Sequence, residues 1–120
     1  MLDKYEQFVH TTESGSVINM THKERLMYFA LGLCGETGEA AEKIKKLVRD
    51  YDGQVPDEQF YNDLIKELGD VLWYITQLCR EVSVISPFPP IRLETVLAKN
   101  ISKLSLRRER GTIQGSGNSR

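Results

Sequence analysis

The chain has 120 residues, 28% of them charged, and a formal net charge of −1. That length allows one domain with one modest core, and the near-neutral balance argues against a nucleic-acid polymer or a membrane surface as partner. No apolar run approaches a membrane span, Met1-Leu2-Asp3-Lys4-Tyr5-Glu6 lacks the order of a signal peptide, and Cys34 and Cys79 lack CxxC spacing, so a cytoplasmic protein with two core or near-core thiols is expected.

Residues 2–10 predict a short helix anchored by Tyr5 and Phe8 at an i,i+3 step. Residues 11–16 are polar, contain Gly15 and read as a loop. Asn19 or Thr21 caps the next helix, and Thr21-His22-Lys23-Glu24 has capping-box form. This helix is expected to run to about Asp50, where Tyr51-Asp52-Gly53 and Pro56 stop it. Gly32, Gly35 and Gly38 lie inside it, each costing up to about 1 kcal/mol against alanine, so a close neighbour, either helix or ligand, is expected beside them. Pro56-Asp57 opens the third helix, which reaches about Val84. Ser86-Pro87-Phe88-Pro89-Pro90 is a connector no helix crosses. Residues 92–110 predict a last helix with Leu93, Val96, Leu97, Ile101 and Leu104 on one side. The composition divides the chain into a domain over 1–111 and a Gly/Ser-rich tail over 112–120. No strand is needed, and an all-α bundle of four to five helices follows.

Two acid clusters organise the long helices. Glu36-Thr37-Gly38-Glu39 and Glu67-Leu68-Gly69-Asp70 each place carboxylates three residues apart on one helix face. The 27 residues of 40–66 leave room for one helix to end and the next to run back beside it. With Glu36 as zero, Phe29, Leu33, Ala40, Ile44 and Leu47 fall about 20–80° to one side, and Glu39 about 60° to the other. With Glu67 as zero, Phe60, Leu64, Val71, Ile75, Leu78 and Val82 repeat that plan, with Asp70 opposite and Tyr74 between the two acids. Both pairs therefore sit at the margin of an apolar stripe. A single ExxE on a helix is most often a set of surface ion pairs, but the repeated phase favours convergence of all four acids. Lys43, an i,i+4 step from Glu39, cannot neutralise them, whereas hard divalent cations can.

Trp73 lies about 60° beyond Asp70, away from the stripe, and would stand exposed in an isolated monomer. A subunit interface is the commoner setting for such a residue and a base pocket the alternative. Tyr74, nearer the acids, is a core-edge aromatic or a ribose or base contact. A di-iron bundle would need Glu-x-x-His, and neither His10 nor His22 stands three residues after these acids.

At these residues a family resemblance becomes visible. Leu31-Gly32-Leu33-Cys34-Gly35-Glu36-Thr37-Gly38-Glu39-Ala40-Ala41-Glu42-Lys43-Ile44-Lys45-Lys46 and Glu67-Leu68-Gly69-Asp70-Val71-Leu72-Trp73-Tyr74-Ile75 resemble the two halves of the MazG-like, all-α nucleoside triphosphate pyrophosphohydrolase signature. Asn100-Ile101-Ser102-Lys103-Leu104-Ser105-Leu106-Arg107 is similar to the element that follows in many members, and the ending from Arg110 through Gly117 to a bacterial and phage branch. The resemblance implies a homodimer or homotetramer and Mg²⁺-dependent cleavage of a nucleoside triphosphate, canonical or non-canonical, into monophosphate and pyrophosphate. It implies two or more Mg²⁺ ions, Mn²⁺ substituting, held by Glu36, Glu39, Glu67 and Asp70. Asn100, Lys103 and Arg107 match phosphate-contacting positions, and Tyr74 a nucleoside-contacting one. Catalysis would rest on Glu36 and Glu39 with Lys103, while Lys43 also faces the phosphates. Many relatives carry one more glutamate where this chain has Gly35, which leaves Glu36 or metal activation to serve the attacking water. The tail, with Gly115-Ser116-Gly117, Arg110 and Arg120, is either a phosphate nest or a disordered end. The rival function is a non-enzymatic helical dimerisation or regulatory module, which explains Trp73 and the charged surface but not four acids in matching phase.

Overall fold

The computed structural model describes residues 1–52 and 54–111. Over these it comprises α1 (Leu2–Val9), α2 (Gly15–Ile18), α3 (His22–Tyr51), α4 (Glu58–Ile85) and α5 (Leu93–Glu109), with no strand among the described residues. The helix ends obey local chemistry. Thr21 caps α3 through a complete capping box: its hydroxyl accepts from the Glu24 N–H at 3.2 Å, and the Glu24 carboxylate accepts from the Thr21 N–H at 2.8 Å. At the far end Asp52 turns the chain out of the helix with a left-handed φ of 37°. Asp57 caps α4 by accepting from the Phe60 N–H at 3.0 Å. The start of α5 is capped from a distance, because buried Glu6 of α1 accepts from the Leu93 N–H at 3.1 Å. A carboxylate is favoured there by the helix dipole.

α3 and α4 form the body of the molecule as an antiparallel pair. Their cross-helix partners run Arg25 to Glu81, Lys43 to Glu67 and Tyr51 to Phe60, so one number rises as the other falls. α1 packs against α4 and α5, and α5 packs against α1 and α4. Short α2 occupies part of a stretch expected to be loop.

The most deeply buried groups are a mixture. Phe29 and Gln77 are both 0% exposed, and Val9, Val17 and Leu93 join Glu6, Thr76, Glu81 and Arg107 among the buried residues. A polar network runs through this centre. Arg25 forks onto Glu13 with its Nη atoms, donates through Nε to Glu81 and lies 5.3 Å over the Phe29 ring. His22 Nδ1 donates to Glu81 at 2.8 Å. Gln77 donates to Glu13 at 2.9 Å and accepts from His10 Nδ1 at 3.1 Å. Each buried carboxylate is thereby paired, as desolvation requires.

Many apolar side chains of the expected stripes stay in water instead. Ile44 is 43% exposed, Val82 36% and Ile101 64%, and of the α5 set only Leu93 is buried. Cys34 is exposed and Cys79 half-buried, so the thiol on α3 is not the near-core group expected from its helical position. The proposed tail over 112–120 lies outside the described residues. No helix among those described is long and apolar enough to cross a membrane.

Candidate functional site

The antiparallel pairing of α3 with α4 decides which acids meet. One carboxylate oxygen each from Glu36, Glu67 and Asp70 lies within 4.8 Å of the other two. Glu36 and Glu67 are half-buried, and Asp70 is exposed. Glu39, one turn along α3, is exposed and outside this triad, yet its charge still reaches it. Burial, followed by the charges of Glu39, Asp70 and Glu67, pushes the Glu36 carboxyl above its ordinary range.

Lys43 does not pair with Glu39 as its i,i+4 spacing suggested. Its ammonium reaches across to Glu67 at 3.4 Å. One cation against three clustered acids leaves excess negative charge at the mouth of the site. This is a donor set of hard oxygens suited to a divalent cation, and two ions bridged by carboxylates are a common solution.

Beside the triad lies a cavity of about 280 Å³ lined by Glu36, Asp70, Trp73 and Tyr74. Tyr74 owes its place to Gly32: a Cβ there would overlap the tyrosine ring. The close neighbour expected beside the glycines is therefore real at Gly32, whereas Gly35, Gly38 and Gly69 face open space. Burial, then Tyr28, Glu36 and Asp70, push the Tyr74 hydroxyl up to about 12, so it is a neutral donor at physiological pH.

Trp73 is half-buried within a single protomer, not exposed as its helical phase suggested. Its ring meets Tyr74 at 4.9 Å and Phe29 at 5.8 Å, and its indole N–H donates to Thr12 at 2.7 Å. The helical wheel omits the segment before α3, which folds back to supply that partner. α1 also approaches the site: the Tyr5 hydroxyl is raised by burial and then by Asp70. No short motif signals either contact.

Asn100 and Lys103 are placed elsewhere. With Ile91, Thr95, Val96 and Lys99 they line a cavity of about 530 Å³ that shares no residue with the acid-lined one. Arg107 is buried further along α5.

The family model described as the MazG nucleotide pyrophosphohydrolase domain matches residues 24–112. The chain is 46% identical over 97 residues to the Gene 37 protein of Mycobacterium phage L5, covering 81% of this chain and 78% of that protein. No solved structure matches it.

Proposed function

The chain belongs to the MazG nucleotide pyrophosphohydrolase family, and on that premise we propose that it is a Mg²⁺-dependent hydrolase that splits nucleoside triphosphates between the α- and β-phosphates. The observation that carries this reading is the meeting of Glu36, Glu67 and Asp70 oxygens beside an aromatic-walled cavity. A triphosphate brings about four negative charges to a site that already holds several, so binding and reaction both require positive charge.

Glu36, Glu67 and Asp70 would hold the cations, with Glu39 as the outer fourth carboxylate. Bound Mg²⁺ would neutralise phosphate oxygens and acidify the attacking water. Glu36 is assigned to orienting that water, because it is the half-buried α3 acid whose oxygen meets those of Glu67 and Asp70. Lys43 is near enough to exchange its Glu67 partner for a phosphate oxygen. Tyr74 meets the nucleoside. Asn100, Lys103 and Arg107 are assigned to the phosphates in an assembled homodimer or homotetramer, since Asn100 and Lys103 face a different cavity within one protomer.

Pyrophosphate release from a nucleotide panel with Mg²⁺ tests the activity, and Asp70→Asn tests the site. The variant should keep its helical circular dichroism, lose most hydrolysis and lose the Mg²⁺-induced rise in melting temperature. Wild-type protein releasing no pyrophosphate from any nucleotide would leave the dimerisation module as the better reading. Undiminished hydrolysis by Asp70→Asn would remove the triad from the mechanism.

A further inference from the structure

Trp73 is the chain's only tryptophan and one wall of the cavity shared with Glu36, Asp70 and Tyr74. Its indole N–H donates to Thr12 Oγ1 at 2.7 Å. The same hydroxyl donates to the Val9 carbonyl at 2.7 Å, so its proton is committed and a lone pair is left aimed at the indole. The loop that carries Thr12 is pinned on both sides. His10 is tied to Gln77 of α4, and Glu13 is tied to Gln77 and to Arg25 of α3. Phe29, fully buried beneath Arg25, supports the ring from another side. The indole is thus fixed by packing on Phe29 and Tyr74 and by one hydrogen bond. That bond comes from a residue ahead of positions 24–112, the part that matches the family.

We propose that Thr12 is a positioning residue which, through Trp73, sets the aromatic wall against which the nucleobase of the substrate stacks. The segment before α3 then governs base affinity and base choice, while the acids govern the phosphates. The inference rests on the proposed nucleotide activity. Stacking on an aromatic face depends on ring orientation, and a base edge entering this cavity meets Trp73 and Tyr74 nearly perpendicular to each other, at 79°.

Thr12→Val keeps the shape and removes the acceptor; Thr12→Ser keeps the acceptor. Calorimetric titrations with Mg²⁺ should use a panel of non-hydrolysable α,β-imido nucleoside triphosphates and, separately, inorganic tripolyphosphate, which has no base. In Thr12→Val the best nucleotide should bind about threefold to fivefold more weakly, the scale of one lost hydrogen bond. Tripolyphosphate should change by less than about twofold on that scale, and Thr12→Ser should restore nucleotide binding. The emission of the single tryptophan in the ligand-free protein should shift in Thr12→Val and return in Thr12→Ser. Unchanged nucleotide affinity in Thr12→Val, equal weakening of both ligands, or failure of the serine to rescue would each overturn the proposal while leaving the hydrolase reading intact. Wild-type protein binding tripolyphosphate but no nucleotide also overturns it. Absence of binding by either ligand would sink the hydrolase reading and this one together.

Discussion

Arg25 is one cation set between two carboxylates, Glu13 and Glu81, whose side chains are 7% and 6% exposed. Burial at this depth makes an intact pair roughly neutral for stability but makes a broken one expensive. Arg25→Leu is therefore expected to cost about 3–5 kcal/mol in chemical denaturation, because it takes the shared guanidinium from both acids and leaves Glu81 to His22 and Glu13 to Gln77 and the more distant Arg80, whereas Lys45→Ala, at an exposed pair with Glu42, should leave the denaturation midpoint almost unchanged. A second residue-scale effect concerns Glu36. Its folded-state pKa lies above the ordinary glutamate value of 4.5. The folded state therefore holds this proton more tightly than the unfolded state, and the resulting stability is present below 4.5 and disappears as pH rises through the raised value. Glutamine mimics the protonated acid. Glu36→Gln should stabilise the metal-free protein in thermal melts at pH 8 and be close to neutral at pH 4; saturating Mg²⁺ should reverse the sign at pH 8.

At the scale of the elements, the contrast among the glycines of α3 gives a direct test of packing. Gly32→Ala forces the Tyr74 ring to move, while Gly38→Ala meets nothing. Overpacking costs about 1–3 kcal/mol and helix propensity returns about 1, so Gly32→Ala should destabilise and Gly38→Ala should stabilise by up to about 1 kcal/mol. Denaturant midpoints of the two variants decide the matter. The same helices show what could be read from residue order. The capping box at Thr21, the cap at Asp57 and the proline connector are local chemistry, so they fixed the bounds of α3 and α4 to within about two residues. The meeting of Glu36 with Glu67 and Asp70 followed from matching phase on two helices long enough to run back past each other. The partners of Trp73, Lys43 and Glu6 did not follow. Each is satisfied from another element, by Thr12, Glu67 and Leu93 respectively, and helical phase carries no information about such a neighbour. The buried Gln77 and Glu81 were invisible for the same reason, since polar residues are assigned to surfaces until their partners are known.

For the whole molecule the decisive quantity is size. The Cα radius of gyration is 17.5 Å, whereas a compact chain of this length has about 13–14 Å. Ile65, Leu68 and Leu72 follow the α4 face in water, and Val96, Leu97, Ile101 and Leu104 do so along α5. Apolar area of this extent suits a symmetric assembly. Sedimentation analysis is expected to find a homodimer or homotetramer, and Ile65→Glu to shift it toward monomer. The exposed α5 side chains carry one further consequence. If burial of this α5 face awaits a second copy, folding and association become linked, and the melting temperature becomes a function of dilution. In a cell making few copies, newly released chains would then pass through a scarce, sticky interval before meeting, and the rate of synthesis would set how many survive it.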